Sequence, residues 1–281
     1  MTHVAELAVF DANRELPAAL AGRAQRFSEL LADHQRVAVA FSGGVDSSLV
    51  LALAARAKGH DQVVAVLGVS PSLADRERQE AHRVAEVIGV QLVEVYPQEM
   101  SDPRYVANDG LRCYFCKFEL YSRTMMDAVT ANAADALLNG DTADDIVDPD
   151  RPGRKAAEEL GVLSPLAGAG IDKPAVREFA RELGLPVWDK PSSPCLASRI
   201  PRAVPVTIGR LREVEKAEDG LRDLGFRELR VRHRAEGAVV QLGQVELDQA
   251  RAAEVATKVE QVVLAAGFKT VRLSSEPLLR D

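Results

Sequence analysis

The sequence predicts an α/β protein, in which a parallel sheet with helices on both faces precedes a second, smaller α/β domain. Three observations lead to this prediction. Short apolar segments alternate with segments of helical periodicity over the first 190 residues. A glycine-rich segment joins one apolar run to the following helix, and four prolines and three serines interrupt the pattern within residues 190–207. Because strands separated by helices run parallel, one covered sheet is expected before that interruption.

The predicted elements of the first domain, residues 1–190, alternate in chain order. Its strands are expected at residues 37–41, 63–67, 91–95 and 136–138. Its helices are expected at residues 16–33, 48–58, 75–88, 113–133 and 174–183.

The second domain, residues 191–281, contains a weak internal repeat. Helical patterns at 208–224 and 246–266 each lead into a Gly-Phe pair and a short apolar run, and one further run lies between them. The three runs cover residues 228–232, 238–242 and 270–273. They are predicted to pair into one sheet.

Composition limits the classes of protein that the chain can belong to. Its 281 residues are 47% hydrophobic, which is enough to bury more than one core. A net charge of −7 argues against a nucleic-acid backbone as the main partner. No apolar stretch approaches the roughly 18 residues of a membrane helix, and acidic residues near the start are unlike a secretion signal. We therefore expect a cytoplasmic protein without a membrane or nucleic-acid partner.

The segment FSGGVDSSLV, residues 41–50, is suited to hold an anion. It lies between a predicted strand and a helix N-terminus, where backbone N–H groups and the positive end of the helix dipole are available. Glycines allow close approach to phosphate, hydroxyls donate, and a carboxylate can hold Mg²⁺; these residues are Ser42, Gly43, Gly44, Asp46, Ser47 and Ser48. The segment matches neither a Walker A loop nor a dinucleotide fingerprint. An ordinary strand-to-helix turn is the alternative.

SGGVDSS resembles the signature of the PP-loop, or N-type, ATP pyrophosphatases, which adenylate a substrate and release pyrophosphate. The resemblance implies an adenosine site at the ends of neighbouring strands. Gly68, Val69 and Ser70 follow one such strand, and Asp141–Asp145, with Asp144 among them, follows another. For the second group the alternative is an acidic loop that caps the next helix.

The three cysteines form a candidate metal site. Cys113 and Cys116 lie one turn apart at the beginning of a predicted helix, beside Arg112 and Lys117, which favour thiolates; Cys195 lies in the proline-rich segment. Three thiolates suit a 4Fe-4S cluster with one open iron and leave a structural zinc site one ligand short. The alternatives are a zinc site completed by histidine, a redox C-x-x-C pair with a spare thiol, and three unrelated cysteines.

The segments CYFCK and PCLASRIP make the resemblance more specific. Over about residues 16–275 the chain resembles the LarE family, ATP-dependent sulfur transferases that help make the nickel-pincer nucleotide cofactor of lactate racemase. The resemblance implies that a carboxylate of pyridinium-3,5-biscarboxylic acid mononucleotide is adenylated and converted to a thiocarboxylate. With three cysteines, the chain is similar to the branch whose 4Fe-4S cluster binds an extra sulfide, and unlike the branch in which a single cysteine gives up its own sulfur.

Positive charge is concentrated in residues 199–234, which hold ten basic and six acidic residues. Arg230 and Arg232 share one face of a predicted strand, so both guanidiniums can grip one phosphate. Pairing with neighbouring acids is the alternative. The resemblance assigns this pair to the phosphate of the substrate nucleotide and Glu218 to a metal ion or the substrate.

Residues beside the cysteines complete the predicted site. Ser198 and Arg199 follow Cys195 and are expected to line the same pocket. Lys117 is expected to neutralise the activated carboxylate, with a solvated position in the first helical turn as the alternative.

These residues together predict an enzyme that uses ATP, Mg²⁺ near Asp46 and a 4Fe-4S cluster. Its expected partners are the pyridinium dicarboxylate mononucleotide, sulfide or another sulfur donor, and further copies of the chain. Three other functions stay open: a cluster-dependent tRNA thiolase of the same superfamily, an ammonia-using ligase, and a non-catalytic ATP-binding regulator.

Overall fold

The structure, a computed structural model, describes residues 10–131, 134–147, 151–234 and 237–278. The described chain divides into two compact units. Unit 1 consists of residues 10–70, 75–99 and 113–190, and unit 2 consists of residues 71–74, 100–112 and 191–278, in each case without the gaps just given. The two short segments, 71–74 and 100–112, lie within the range predicted for the first domain, residues 1–190, but belong to unit 2. Among the described residues, no helix is long and apolar enough to cross a membrane.

Unit 1 is built on a four-stranded parallel sheet. Its strands are β1 (Val37–Ala40), β2 (Val63–Gly68), β3 (Gln91–Val95) and β4 (Ala136–Leu138). They are arranged in the order β3-β2-β1-β4, and Val37 pairs with Val63 on one side and with Ala136 on the other. The predicted parallel sheet is therefore confirmed. Its central strands β1 and β2 are almost wholly buried, which explains why both read as uninterrupted apolar runs.

Helices cover both faces of this sheet. Those of unit 1 are α1 (Ala18–Leu30), α2 (Val45–Lys58), α3 (Asp75–Ile88), α5 (Arg112–Thr124, whose first residue belongs to unit 2), α6 (Ala143–Val147), α7 (Pro152–Glu159), α8 (Pro165–Gly168) and α9 (Lys173–Glu182). α2 is buried along Ser47–Ala55, as expected of a helix that is apolar all round. Against the other face, Tyr121 of α5 packs with Ala38 and Val64.

Two helix boundaries differ from the prediction in ways that matter for the site. α2 begins at Val45, three residues earlier than expected, because Gly44 takes an extended conformation and serves as the N-cap. Asp46 and Ser47 therefore lie in the first helical turn. The helix expected over residues 113–133 ends as an α-helix at Thr124 and continues as a π-helical turn, Met125–Val129.

Unit 2 contains a three-stranded sheet. β5 (Leu229–Arg234) pairs antiparallel with β6 (Gly237–Leu242), which pairs parallel with β7 (Thr270–Leu273). The three predicted runs thus form one sheet. The helices of this unit are α4 (Pro103–Val106), α10 (Ile208–Asp223), α11 (Gln244–Ala250) and α12 (Ala253–Ala265).

The single helix predicted at residues 246–266 was wrong. The chain forms two helices there, because Ala252 adopts an extended conformation between them. With this break, Leu247 of α11 and Val259 and Val263 of α12 are all buried.

Candidate functional site

The glycine-rich loop follows β1 at its carboxyl end. Gly43 has φ +71°, in the left-handed region, and a Cβ at this position would lie 2.9 Å from Cα of Ala81 on α3. No other residue fits here without moving backbone. Gly44 then leads into α2 as its N-cap, so the first N–H groups of that helix, which have no partner within the helix, directly follow the loop. This geometry is suited to bind an anion.

Serine hydroxyls hold the loop in this shape. Ser47 Oγ accepts a hydrogen bond from the Ser42 amide at 3.2 Å and donates to the carbonyl of Gly44 at 3.2 Å, while Ser42 Oγ lies 3.2 Å from Ser47 Oγ. Ser48, unlike Ser42 and Ser47, does not hydrogen-bond to the loop through its hydroxyl. Its side chain is fully buried, its hydroxyl has no hydrogen-bond partner among the described residues, and its amide donates to the Gly44 carbonyl. In this arrangement the Ser48 hydroxyl does not line the loop surface.

Asp46 is held by a lysine that the sequence analysis did not identify. Lys173 Nζ, at the beginning of α9, lies 2.5 Å from Asp46 Oδ2 and 3.5 Å from Asp145 Oδ2. The other oxygen of Asp46, Oδ1, is buried and has no hydrogen-bond partner among the described residues. A carboxylate with an uncommitted oxygen is a suitable ligand for Mg²⁺.

A second lysine contacts the backbone of the loop. Lys190 Nζ donates to the carbonyl of Gly43 at 3.2 Å and to Glu77 Oε2 on α3 at 2.7 Å. Lys173 and Lys190 both occur in the triplet Asp-Lys-Pro, at residues 172–174 and 189–191. That repeated triplet is the sequence signal that would have indicated them.

The acidic segment after β4 adjoins the loop. A Cβ on Gly140 would lie 3.1 Å from the amide nitrogen of Ser47, so the chain passes close to the start of α2. Asp144 Oδ2 accepts a hydrogen bond from the Lys173 amide at 2.7 Å and thereby caps α9. Helix capping was the alternative to a nucleotide contact for this acidic segment. The nucleotide contact expected of Asp144 stays a prediction.

Asp145 lies behind this cap and is almost completely buried. Burial acts to raise its pKa, but hydrogen bonds from Thr142 and the charges of Lys173 and Arg151 outweigh it, so the pKa of Asp145 lies below its usual range. The carboxylate is therefore charged where it meets Lys173.

The end of β2 shows why one predicted residue is a glycine. A Cβ on Gly68 would lie 2.4 Å from Cδ1 of Leu120 on α5, so the glycine accommodates this leucine. Val69 extends the strand by donating to the carbonyl of Val95, and the half-buried Ser70 ends this segment of unit 1. The predicted adenosine contacts of Gly68 and Ser70 stay predictions.

Cys113 and Cys116 lie one turn apart in α5, the first exposed and the second half-buried. Lys117 Nζ donates to the hydroxyl of Tyr121 at 3.0 Å. Burial acts to lower the pKa of Lys117, but the Tyr121 hydroxyl, Asp141 and Cys116 outweigh it, and the pKa lies above its ordinary value. A lysine that stays charged beside Cys116 favours the thiolate form of that cysteine.

Cys195 is exposed in unit 2, at the start of a 3₁₀ turn, Leu196–Arg199. Arg199 is buried and donates through Nη1 to the Pro194 carbonyl, to the Cys195 carbonyl at 3.3 Å and to Ser198 Oγ at 2.9 Å. Arg199 therefore anchors the backbone that presents the Cys195 thiol.

Glu218 of α10 is the counter-ion of this arginine. Its oxygens accept from Arg199 Nε at 2.8 Å and Arg199 Nη2 at 3.1 Å, and Oε1 also accepts from the Val231 amide at 3.0 Å. Arg222 approaches Oε2 at 3.4 Å. The metal-ligand role predicted for Glu218 would require a metal ion to displace two guanidinium groups, because both oxygens already face cations.

Segments 71–74 and 100–112 of unit 2 also hydrogen-bond to the Cys195 turn. Arg112 Nη1 donates to the carbonyl of Ala197 at 2.7 Å and to Asn108 Oδ1 at 2.8 Å, and the Leu196 amide donates to the carbonyl of Ser72. Segments 71–74 and 100–112 thus belong to unit 2 because they hold this turn.

Arg230 and Arg232 lie on the same face of β5, half-buried, while Leu229 and Val231 point to the core. Arg232 donates to Gln241 Oε1 at 2.8 Å and to the Ser198 carbonyl at 3.2 Å. Burial lowers the pKa of Arg232, and the charges of Arg230, Arg199 and Arg234 lower it further. Several guanidiniums that repel one another form a site that an anion would stabilise.

The three cysteines supply the type of ligand that an iron–sulfur cluster needs. No cysteine forms a disulfide in the described part of the chain, and three thiols are the ligands that a 4Fe-4S cluster with an open iron requires. Among the described residues, however, no three histidine, cysteine or acidic side chains form a group that would hold a metal ion. The chemistry of the donors fits the group, and the cluster stays a prediction.

Comparison with known proteins adds two kinds of relative. The asparagine synthase family matches residues 27–188. The pyridinium-3,5-bisthiocarboxylic acid mononucleotide synthase of Lactiplantibacillus plantarum is 36% identical over 91% of this chain and 91% of its own. An uncharacterized protein of Synechocystis sp. is 39% identical over 82% of this chain and 85% of its own. The tRNA-specific 2-thiouridylase MnmA of Zymomonas mobilis is 32% identical over 57% of this chain and 52% of its own.

Proposed function

Because the chain belongs to the asparagine synthase family and to the family of the pyridinium-3,5-bisthiocarboxylic acid mononucleotide synthase, we propose that it is an ATP-dependent sulfur transferase. Its substrate is pyridinium-3,5-biscarboxylic acid mononucleotide, and its product carries a thiocarboxylate, as in the biosynthesis of the nickel-pincer nucleotide cofactor. The observation that carries the proposal is the 36% identity across 91% of both chains, which includes both units.

The first half of the reaction takes place at the glycine-rich loop. The amides at the start of α2 and the backbone at Gly43 hold the phosphates of ATP, and Asp46, through its uncommitted oxygen, would hold Mg²⁺ when that ion is bound. A substrate carboxylate oxygen forms a bond to the α-phosphorus. The bond from that phosphorus to the bridging oxygen breaks, and its electron pair leaves with pyrophosphate. The negative charge that develops is stabilised by donors already in position.

The second half of the reaction forms the carbon–sulfur bond. Sulfide attacks the carbonyl carbon of the acyl adenylate, the carbon–oxygen bond to the phosphate breaks, and AMP leaves with that electron pair. A 4Fe-4S cluster on Cys113, Cys116 and Cys195, when bound, would supply the sulfide. Lys117, charged beside Cys116, favours the thiolate and neutralises the carboxylate as it is activated.

Arg230 and Arg232 bind the phosphate of the substrate nucleotide. The two side chains share one face of β5, and burial together with neighbouring guanidiniums lowers the pKa of Arg232. A bound phosphate dianion would offset the repulsion between these cations. Arg199 and Glu218 act differently: both are buried and bound to each other, so they position the Cys195 turn and do not contact the substrate. Binding the phosphate fixes the orientation of the substrate and so reduces the entropic part of the barrier.

A tRNA thiolase is the second candidate, because tRNA-specific 2-thiouridylases are among the relatives. The chain spans about half the length of those proteins, whereas it spans 91% of the pyridinium synthase. Coverage therefore favours the small nucleotide as the substrate.

The test is a reaction of the anaerobically purified protein with the pyridinium dicarboxylate mononucleotide, ATP, Mg²⁺ and sulfide. Mass spectrometry is expected to show exchange of a carboxylate oxygen for sulfur, with equal amounts of AMP and pyrophosphate. Arg232→Gln should raise KM for the nucleotide with little change in the affinity for ATP. A protein that thiolates tRNA and leaves the pyridinium nucleotide unchanged would overturn the proposal. Visible absorbance at about 400 nm would report the cluster separately. Size-exclusion chromatography would test the expected homo-oligomer.

A further inference from the structure

The glycine-rich loop lacks a cation of its own, yet the fold brings two to it. Residues 42–48 contain no lysine or arginine. Lys173 and Lys190 reach the loop from positions 127 and 147 residues away from the loop residues they contact. In a P-loop, by contrast, the lysine that neutralises the phosphates lies within the motif.

Lys173 is fixed at the backbone and accessible at its tip. Asp144 accepts from its amide, and Asp172 caps the same helix by accepting from the Ala175 amide at 3.0 Å. Its side chain is still 42% exposed, and the ammonium is shared between the carboxylates of Asp46 and Asp145. A divalent cation on Asp46, when bound, would reduce the attraction of that carboxylate for the ammonium, and Lys173 would then be available to a phosphate at the loop.

Lys190 is anchored by the same helix. Arg177 of α9, one turn after Lys173, donates to the carbonyls of Trp188 at 3.1 Å and Lys190 at 3.3 Å. The Lys190 side chain is 17% exposed. Its ammonium group donates to the neutral carbonyl of Gly43 and to the carboxylate of Glu77. A multiply charged phosphate at the loop would be a stronger partner than the neutral carbonyl, because two opposite charges add a Coulomb attraction to the hydrogen bond.

We infer that Lys173 and Lys190 are catalytic residues that bind the pyrophosphate leaving group at the loop. The inference rests on the proposed adenylation reaction and names two residues for it. As the bond between the α-phosphorus and the bridging oxygen breaks, negative charge accumulates on pyrophosphate. The two ammonium groups neutralise that charge without transferring a proton, so they accelerate pyrophosphate formation and strengthen binding of the free product.

The test measures binding and chemistry separately in Lys173→Gln and Lys190→Gln. Isothermal titration with inorganic pyrophosphate and Mg²⁺ needs no second substrate, and each variant should bind pyrophosphate at least about tenfold more weakly than the parent protein. The rate of pyrophosphate formation in a single turnover should fall by about 10²-fold or more. Lys155→Gln is the matched control, because Lys155 is 72% exposed and pairs only with Glu159 at 3.8 Å among the ion pairs seen in the described residues; it should match the parent in both assays.

Charge-conserving variants separate a contact with pyrophosphate from a structural role. Lys173→Arg and Lys190→Arg should regain much of the pyrophosphate affinity, whereas a lysine that only braces Asp46 or Gly43 would change the melting temperature and leave the affinity of folded protein unchanged. Parent-like pyrophosphate affinity in both glutamine variants would overturn the inference, even where the pyridinium nucleotide is thiolated. If pyrophosphate binding depends on both lysines while no sulfur enters the nucleotide, the inference stands and the proposed substrate is wrong.

Discussion

Replacing Glu218 by glutamine tests what the structure says about the buried ion pair of unit 2. The side chains of Glu218 and Arg199 are 2% and 3% exposed, and two hydrogen bonds of 2.8 and 3.1 Å join them. Glutamine keeps the shape but removes the charge, and its NH2 group would face Arg199 together with either the Val231 amide or Arg222. Arg199 would then be a buried cation whose partners among the described residues are carbonyls, Ser198 Oγ and a neutral amide.

The expected cost follows from the burial of the pair. Removing one partner of a buried ion pair costs about 3–5 kcal/mol, whereas an exposed pair contributes about 0–1 kcal/mol. Because Arg222, which is 24% exposed, also approaches Glu218, solvent reaches one side of the cluster, and we expect a value near the lower limit, about 3 kcal/mol. Replacing both partners by apolar residues, as in Arg199→Met with Glu218→Leu, should recover most of this loss.

The measurement must report on unit 2 alone. The single tryptophan, Trp188, lies in unit 1, so urea unfolding is best followed by amide hydrogen exchange in peptides from β5 and β6. Glu254→Gln is the control, because Glu254 is 83% exposed and pairs with Lys258 on the surface of α12. A loss below about 1 kcal/mol for Glu218→Gln would refute the counter-ion assignment. A loss of activity that depends on metal concentration, in a variant of unchanged stability, would restore the metal-ligand role.

Three further predictions concern the loop and two titrating groups. Gly43→Ala should weaken ATP binding at least about tenfold in a titration calorimeter, since the left-handed conformation costs about 1–2 kcal/mol and the new Cβ would press on Ala81; unchanged affinity would contradict the loop geometry. Arg78 and its neighbours hold the pKa of Glu94 at about 2, so Glu94→Gln should be less stable than the parent near neutral pH, and the difference in urea midpoints should vanish as the pH falls from about 4.5 towards about 2. Burial lowers the pKa of His233, so the unfolded chain binds more protons and the stability of unit 2 should fall as the pH drops below about 6.5; His233→Leu should remove this dependence, and a parent-like pH profile in that variant would count against it.

The sheet of unit 1 was predictable because its information is local. Residues 37–40, 63–68, 91–95 and 136–138 are strands within a residue or two of the prediction. Apolar runs of this length, separated by helical periodicity, have few alternatives to buried parallel strands. The loop was predictable for the same reason, since strand, glycines and helix start are consecutive in the chain.

The helices were less completely predicted. α6, α7 and α8 are four to eight residues long, too short to show a helical period, and were not identified. The break between α11 and α12 is set at Ala252, a residue with high helix propensity, and no local signal marks it.

The sequence by itself determined the parallel sheet, the glycine-rich loop between strand and helix, the three cysteines and the shared face of Arg230 and Arg232. Only the tertiary structure decided which charged groups are partners: Lys173 for Asp46, Lys190 for the Gly43 carbonyl, and Glu218 for Arg199. The reason is physical. Periodicity and turn chemistry act between residues a few positions apart, whereas an ion pair depends on distance in space, and the two lysines reach the loop across 127 and 147 residues of chain.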